Sequence, residues 1–225
     1  MSDRHLDTGL TELHQQLLAM GGLAEQAIQR ATEAWRLRNL SKVQEVYTIE
    51  QKVDQAQIAI DAICFKLLAL QQPMATDLRA IIASIKINTD LERIVDLAVN
   101  LAQNTEFYLQ SAAVRHLDDL SEMADEARSM MKKVLDSFVA MDERMAREVL
   151  GQDDKVDGLK NKIFQECKEQ AKRDPNRVEQ GLNLILMARN LERIADHCTN
   201  IAEDVIFAIS GKDVRHPQRK QTSRA

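Results

Sequence analysis

The stretch LERIADHCTNIAEDV, residues 191–205, repeats a pattern that stands one hundred residues earlier, where residues 91–105 read LERIVDLAVNLAQNT. The two stretches share Leu, Glu, Arg and Ile in a row, and then an Asp, an Asn and an Ala at the same spacings. Both have the apolar spacing of an α-helix. Because the chain contains the same helix twice, we predict that its fold is also built twice.

Each of these helices carries a narrow face of oxygen-bearing side chains. Successive residues of an α-helix are rotated by about 100° around its axis, so residues at i, i+4, i+8 and i+11 lie on the same face. These are Glu92, Asp96, Asn100 and Gln103 in the first copy, and Glu192, Asp196, Asn200 and Glu203 in the second. Two like charges at i and i+4 repel by roughly 0.2 to 0.5 kcal/mol. Each acidic pair therefore favours a nearby cation, either a basic side chain or a metal ion.

The repeat extends into the helix that precedes each stretch. Glu50 and Asp54 correspond to Asp153 and Asp157, which stand 103 residues later, and Cys64 corresponds to Cys167. We therefore predict an all-α fold of six long helices that form two tandem, pseudo-symmetric three-helix bundles. The helices are expected to end near residues 38, 70, 110, 141, 172 and 210, with a bend or close packing at Gly21 and Gly22. Pro73 and Pro175 are expected to mark turns between helices, and Gly211 is expected to end the last helix. The predicted domains are residues 1–115 and 116–211, followed by a basic flexible tail, residues 212–225.

Composition narrows the class of protein. Gly 7, Pro 3 and 29% charged residues favour long helices. The net charge of -5 argues against a nucleic-acid partner and suits cation binding. The first ten residues lack the apolar core of a signal peptide, and no 18 consecutive apolar residues occur, so we expect a cytoplasmic protein. Three cysteines without CxxC spacing are expected to be buried thiols.

Four acidic pairs with E/DxxxD spacing are candidate metal ligands. They are Glu50 with Asp54, Glu92 with Asp96, Asp153 with Asp157, and Glu192 with Asp196. Consecutive helices of a three-helix bundle are antiparallel neighbours, so the two pairs of one copy can face each other. Hard cations take carboxylate oxygens, and amide oxygens and waters can fill the remaining positions.

Simpler interpretations remain open for these acids. A single acidic pair is usually a solvated helix face or a partner of nearby basic residues, and Arg93, Arg193, Arg79, Lys52 and Lys155 are available for that role. Asp61 extends the first acidic face, whereas its counterpart is Phe164, so the two sites are not expected to be equivalent.

Enzyme chemistry has little support in the sequence. No Glu stands three residues before a His, which argues against a ferritin-like di-iron site. The chain has no GxxxxGK[ST], GxGxxG or GxSxG motif. His197 adjoins Asp196, but neighbouring residues do not face each other on a helix, so we expect a surface or packing role.

The chain resembles the PhoU family in three features. These are the E/DxxxD pairs, TDLERIVD at residues 89–96, and RNLERIADHCTNIAEDVIF at residues 189–207 followed by GKDVRH at residues 211–216. The resemblance implies two three-helix bundles, usually as a homodimer, with metal ions on the repeated motifs. By that resemblance the metal ligands are Glu50, Asp54, Glu92, Asp96, Asp153, Asp157, Glu192 and Asp196, with Asn100 and Asn200 as additional ligands. The metals expected are divalent or trivalent ions such as Mg, Mn, Fe or Zn.

The resemblance also implies a function. The expected role is a negative regulator of the phosphate regulon, not an enzyme. It acts as a cytoplasmic adaptor that links the ATPase subunit of the phosphate ABC transporter to the sensor histidine kinase and modulates phosphate uptake. Such a protein is peripheral to the membrane only through its partners. The alternative is a metal-binding or metal-buffering helical bundle whose output is ion occupancy.

Overall fold

The computed structural model describes residues 2–110 and 118–215. Seven α-helices and one 3₁₀ turn occur in these residues. The helices are α1 (Ser2–Arg36), α2 (Ser41–Gln71), α3 (Ala75–Gln110), α4 (Asp118–Ala140), α5 (Glu143–Leu150), α6 (Asp153–Arg173) and α7 (Val178–Ser210), with the 3₁₀ turn at Pro175–Arg177. The predicted all-α fold is confirmed.

The helices pack as two sets of three. Helices α1, α2 and α3 contact one another in the first bundle, and α4, α5–α6 and α7 form the second. The predicted fifth helix is divided into α5 and α6 at Gly151 and Gln152, whose backbone angles stay close to helical values. Asp142 caps α5, since its Oδ1 accepts hydrogen bonds from the backbone N–H groups of Arg144 and Met145.

The most extensive contact between any two helices is that of α3 with α7, which joins the two bundles. Lys86 near the start of α3 pairs with Asp204 near the end of α7, and Asp90 contacts His197. Residues later in α3 contact residues earlier in α7, so the two helices run antiparallel. The first turns of the two stretches that define the repeat therefore lie against each other in this contact.

Gly21 allows α1 to approach α4 closely. A Cβ built on Gly21 would stand 2.5 Å from Leu135 Cδ2, whereas one built on Gly22 would have no heavy atom within 4 Å. The predicted close packing is therefore confirmed at Gly21. Gly211 ends α7 with φ 71°, and its N–H donates to the Phe207 carbonyl, as the sequence predicted for a glycine after the last helix.

The ends of the predicted domains remain largely a prediction. The boundary near residue 115 and the tail beyond residue 215 lie outside the described residues. In the described part of the tail, Val214 packs against the hydrophobic core, and Arg215 pairs with Asp213. The first residues after α7 therefore contact the bundle.

Helices α1–α7, as far as they are described, include none with a stretch long and apolar enough to cross a membrane. All three cysteines are free and buried, as predicted.

Candidate functional site

The first acidic cluster is formed by Glu50 and Asp54 of α2 and by Glu92 and Asp96 of α3. Burial raises the pKa of the Glu50 carboxyl, and the charges of Asp54 and Asp96 raise it further. Burial, together with the charges of Asp96 and Asp54, likewise raises the pKa of the Glu92 carboxyl. Each carboxyl is thus influenced by an acid of the facing helix, so the two predicted pairs lie within range of each other's charges.

Arg93 is the basic residue that contacts this first cluster from outside. Its guanidinium lies 3.2 Å from Asp96 and 3.5 Å from Glu92. The Arg93 side chain is 56% exposed, so both contacts are surface ion pairs of small energetic value. The simpler interpretation, in which basic neighbours partly neutralise the acids, therefore holds for Arg93.

The second acidic cluster brings together the equivalent residues of α6 and α7. Burial raises the pKa of the Asp153 carboxyl, with contributions from the neighbouring acids Asp157, Asp154 and Glu192. Burial also raises the pKa of the Asp196 carboxyl, with contributions from Glu192, Asp153 and Asp157. As in copy one, each of these carboxyls is thus influenced by an acid of the facing helix.

Lys160 distinguishes the second cluster from the first. Its Nζ donates to Asp157 Oδ1 at 2.6 Å and to Glu192 Oε1 at 2.8 Å, so one ammonium group joins α6 to α7. The side chain is only 29% exposed. The residue at the equivalent position of copy one is Gln57, 103 residues earlier, which carries no charge.

Lys160 was not predicted from the sequence as a partner of these acids. Lys155 was, but the Lys155 ammonium pairs with Glu126 and Glu122 of α4, at 2.8 and 3.3 Å. The available signal was the spacing of Lys160 from Asp157, because residues three apart on a helix are neighbours. Comparison of the two copies at this position would have shown the change from glutamine to lysine.

The two candidate asparagine ligands have different surroundings. Asn100 lies on the exposed side of α3. The Asn200 amide nitrogen donates to Asp90 Oδ1 at 3.4 Å, across the contact between α3 and α7. The Asn200 amide is therefore engaged with Asp90, which sequence analysis did not propose as a site residue.

A polar group of residues lies at one end of the contact between α3 and α7. His197 Nδ1 lies 2.7 Å from Asp90 Oδ1, and Lys86 Nζ donates to Asp204 Oδ1 at 2.8 Å. These four side chains line or adjoin a cavity of about 400 Å³ that Arg215 also borders. His197 thus serves the packing of two helices, as its position on α7 led us to expect, although its partner Asp90 was not predicted.

The two acidic clusters differ in how well their side chains suit a metal ion. Within residues 2–110 and 118–215, no three Asp, Glu, His or Cys side chains stand close enough together to hold a metal ion as they are. The first cluster still suits a hard cation, because acids of two facing helices raise the pKa of the Glu50 and Glu92 carboxyls and hard cations take carboxylate oxygens. The second cluster does not fit, because the Lys160 ammonium already contacts Asp157 and Glu192.

These features define a class: all-helical proteins made of two repeated three-helix bundles, with an acidic cluster on each bundle. The family model for the PhoU domain matches twice, at residues 17–105 and 120–205. The chain therefore belongs to the PhoU family, as its sequence resemblance indicated.

Relatives and solved structures agree with this assignment. The chain is 33% identical to the phosphate-specific transport system accessory protein PhoU homolog of Zymomonas mobilis, over 95% of this chain and 89% of that protein. The crystal structure of PhoU from Pseudomonas aeruginosa matches with a TM-score of 0.88 and 33% identity, over 92% of this chain and 99% of that chain. PhoU from Streptococcus pneumoniae, a phosphate transport system regulatory protein, matches with a TM-score of 0.87 and 25% identity, over 94% of this chain and 100% of that chain.

Proposed function

We propose that this chain is a negative regulator of the phosphate regulon. It acts as a cytoplasmic adaptor between the ATPase subunit of a phosphate ABC transporter and the sensor histidine kinase of that regulon, and thereby modulates phosphate uptake. Membership of the PhoU family supports this proposal, and so do the names of its relatives, which describe accessory or regulatory proteins of phosphate transport. Their names describe accessory proteins and no catalytic activity.

The structural observation that supports the proposal is the pair of acidic clusters on two packed bundles. Glu50, Asp54, Glu92 and Asp96 form a site whose own charges repel, so that a bound cation would stabilise the approach of α2 to α3. A metal ion held there would supply positive charge and shape the surface that meets a partner. This role would make partner binding dependent on ion occupancy.

Deletion of the gene tests the regulatory role. Alkaline phosphatase activity, measured in cells grown in abundant phosphate, should rise when the gene is deleted and should return to the repressed level when the intact gene is restored. Unchanged repression in the deletion strain would overturn the proposal.

Capture of partners tests the adaptor role. The full-length chain, purified from phosphate-replete cells with its complexes intact, should retain the transporter ATPase subunit and the histidine kinase, identified by mass. A chain that restores repression but retains neither protein would contradict a direct adaptor role. Sedimentation of the purified chain tests the proposed homodimer.

A metal-buffering role is the second candidate, and it is favoured by the mutual repulsion of the acids in the first cluster. The two candidates differ in what the double variant E92Q/D96N should do. Under the adaptor proposal this variant alters phosphatase repression. Under metal buffering, the variant lowers the metal content of the purified protein, measured by elemental analysis, and leaves repression unchanged.

A further inference from the structure

The second acidic cluster contains its own cation. Lys160 Nζ lies within hydrogen-bond distance of one carboxylate from each of the two helices that form the cluster, Asp157 of α6 and Glu192 of α7. Lys160 is three residues after Asp157, so the two side chains lie on the same face of α6. The Lys160 ammonium also contacts Glu192 of α7. A charge-assisted pair of hydrogen bonds is stronger than a contact between neutral groups.

The first cluster has no such group at the equivalent position. Gln57 stands where copy two has Lys160. The cation that contacts the first cluster is Arg93, at the longer distances of 3.2 and 3.5 Å and from a side chain that is about half exposed. An incoming metal ion can displace such a surface contact at little cost, since exposed ion pairs contribute roughly 0 to 1 kcal/mol.

The residues beside the two clusters also differ. In copy one, the buried Asn88 donates from its amide nitrogen to Asp61 Oδ1 at 2.9 Å and to the Gln57 carbonyl at 3.1 Å. The equivalent positions in copy two are Ala188 and Phe164, which line a cavity of about 270 Å³ together with Lys160 and Glu192. The polar contact of Asn88 with Asp61 is thus replaced by two apolar residues, against which a lysine side chain can pack its methylene groups, and Asn161 and Arg189 line the same cavity.

We propose that the second cluster is not a metal site, because the Lys160 ammonium replaces the metal there as a permanent counter-ion that joins α6 to α7. The inference rests on the proposed metal role of the first cluster and restricts it: of the two acidic clusters, only the one on the first bundle is an exchangeable cation site. The regulatory role does not depend on this point and is judged separately by phosphatase repression.

The test measures Mn²⁺ binding to the full-length, EDTA-treated chain by isothermal titration calorimetry and by elemental analysis. The wild type and E192Q/D196N are expected to bind the same number of ions, whereas E92Q/D96N is expected to lose that binding. The variant K160Q, which copies Gln57, is expected to gain one ion per chain. The reciprocal variant Q57K is expected to lose Mn²⁺ binding at the first cluster.

Thermal unfolding without metal provides a second readout. K160Q should lower the midpoint temperature, because four acids then lack their internal cation, and added Mn²⁺ should restore it. Q57K should raise the midpoint of the metal-free chain. If K160Q does not fold, Q57K alone decides the question.

Three results would overturn the inference. The first is a loss of bound Mn²⁺ in E192Q/D196N relative to the wild type. The second is a folded K160Q that gains no ion. The third is a Q57K chain that binds Mn²⁺ as the wild type does.

Discussion

Lys86 of α3 and Asp204 of α7 form an ion pair across the contact between the two bundles, with Nζ donating to Oδ1 at 2.8 Å. The Asp204 side chain is only 9% exposed. Burial raises the pKa of its carboxyl, although the Lys86 charge opposes that rise. The equivalent positions in the other copy of the repeat, one hundred residues away, are Leu186 for Lys86 and Asn104 for Asp204. The ion pair between the two copies thus has an uncharged counterpart, Leu186 and Asn104, at the positions that the repeat relates to it.

Replacing Lys86 alone should destabilise the fold. K86L leaves the buried Asp204 carboxylate without its main partner, and we expect a loss of about 1–3 kcal/mol in the free energy of unfolding. The double variant K86L/D204N introduces the residues that stand at the repeat-related positions 186 and 104. It should recover most of that loss. Urea unfolding at pH 7 measures both variants.

The exposed pair of Lys172 with Glu169 supplies a control, because K172L should change stability by less than about 0.5 kcal/mol. A double variant no more stable than K86L would contradict the argument.

Neutralising Glu92 should stabilise the metal-free protein. The pKa of Glu92 is raised above its ordinary value of 4.5, so the folded chain binds this proton more tightly than the unfolded chain does. The contribution of Glu92 to stability is therefore most favourable below pH 4.5 and declines as the pH rises through the folded pKa. We expect E92Q to exceed the wild type by roughly 0.2–0.5 kcal/mol at pH 7, and to match it near pH 3. Urea unfolding at several pH values in EDTA measures the difference.

Glu192 is the matched control for Glu92, because the two residues are related by the repeat. E192Q removes a 2.8 Å contact with Lys160, so this variant should gain no stability at pH 7 and should lose some. Equal behaviour of E92Q and E192Q across the pH range would contradict the electrostatic difference between the two clusters.

The adjacent glycines of α1 should respond differently to alanine. G22A adds a methyl group where no atom beyond the adjacent residues and the backbone of α1 lies within 4 Å, and we expect a gain of about 1 kcal/mol from helix propensity. G21A places a Cβ 2.5 Å from Leu135 Cδ2, so Leu135 must shift, and the cost of overpacking offsets that gain. Thermal unfolding should rank G22A above the wild type and G21A below G22A. The reverse order would show that α1 and α4 pack differently.

The cysteine thiols should resist modification in the folded chain. Burial raises the pKa of the Cys64 thiol to about 11, and it also raises the pKa of Cys167 and of Cys198. The reactive thiolate is therefore scarce at pH 8, and the sulfur atoms are shielded as well. A chromogenic disulfide reagent should react slowly with the native protein and rapidly with three thiols after denaturation. Rapid reaction of the native chain would contradict the buried positions.

The repeat made most of the fold predictable. Helical spacing, the turns at Pro73 and Pro175 and the glycine at position 211 marked the helix ends, because each has a local effect on the backbone. The division of the predicted fifth helix at Gly151 was missed, because Gly151 and Gln152 keep nearly helical angles and interrupt the apolar spacing very little.

The acidic pairs, their facing arrangement and the contact with Arg93 were predictable from the sequence, but the polar contacts of Lys160, Asn200 and His197 with a neighbouring helix were not. Spacing along one helix places Glu92 with Asp96, and Glu192 with Asp196, without knowledge of any other helix. The Lys160 bridge to Glu192, the Asn200 contact with Asp90 and the His197 contact with Asp90 each join different helices. Such contacts depend on the rotation and register of packed helices, which local spacing does not determine.

The sequence by itself determined that this protein is a twofold repeat of helices with acidic pairs at equivalent positions, since helix periodicity and internal similarity are both local properties of the chain. Only the tertiary structure decided which cation each cluster meets: the exposed Arg93 beside the first and the inward Lys160 within the second. The physical reason is that charge interactions act through space and fall off with distance, so their partners are set by helix packing rather than by position along the chain.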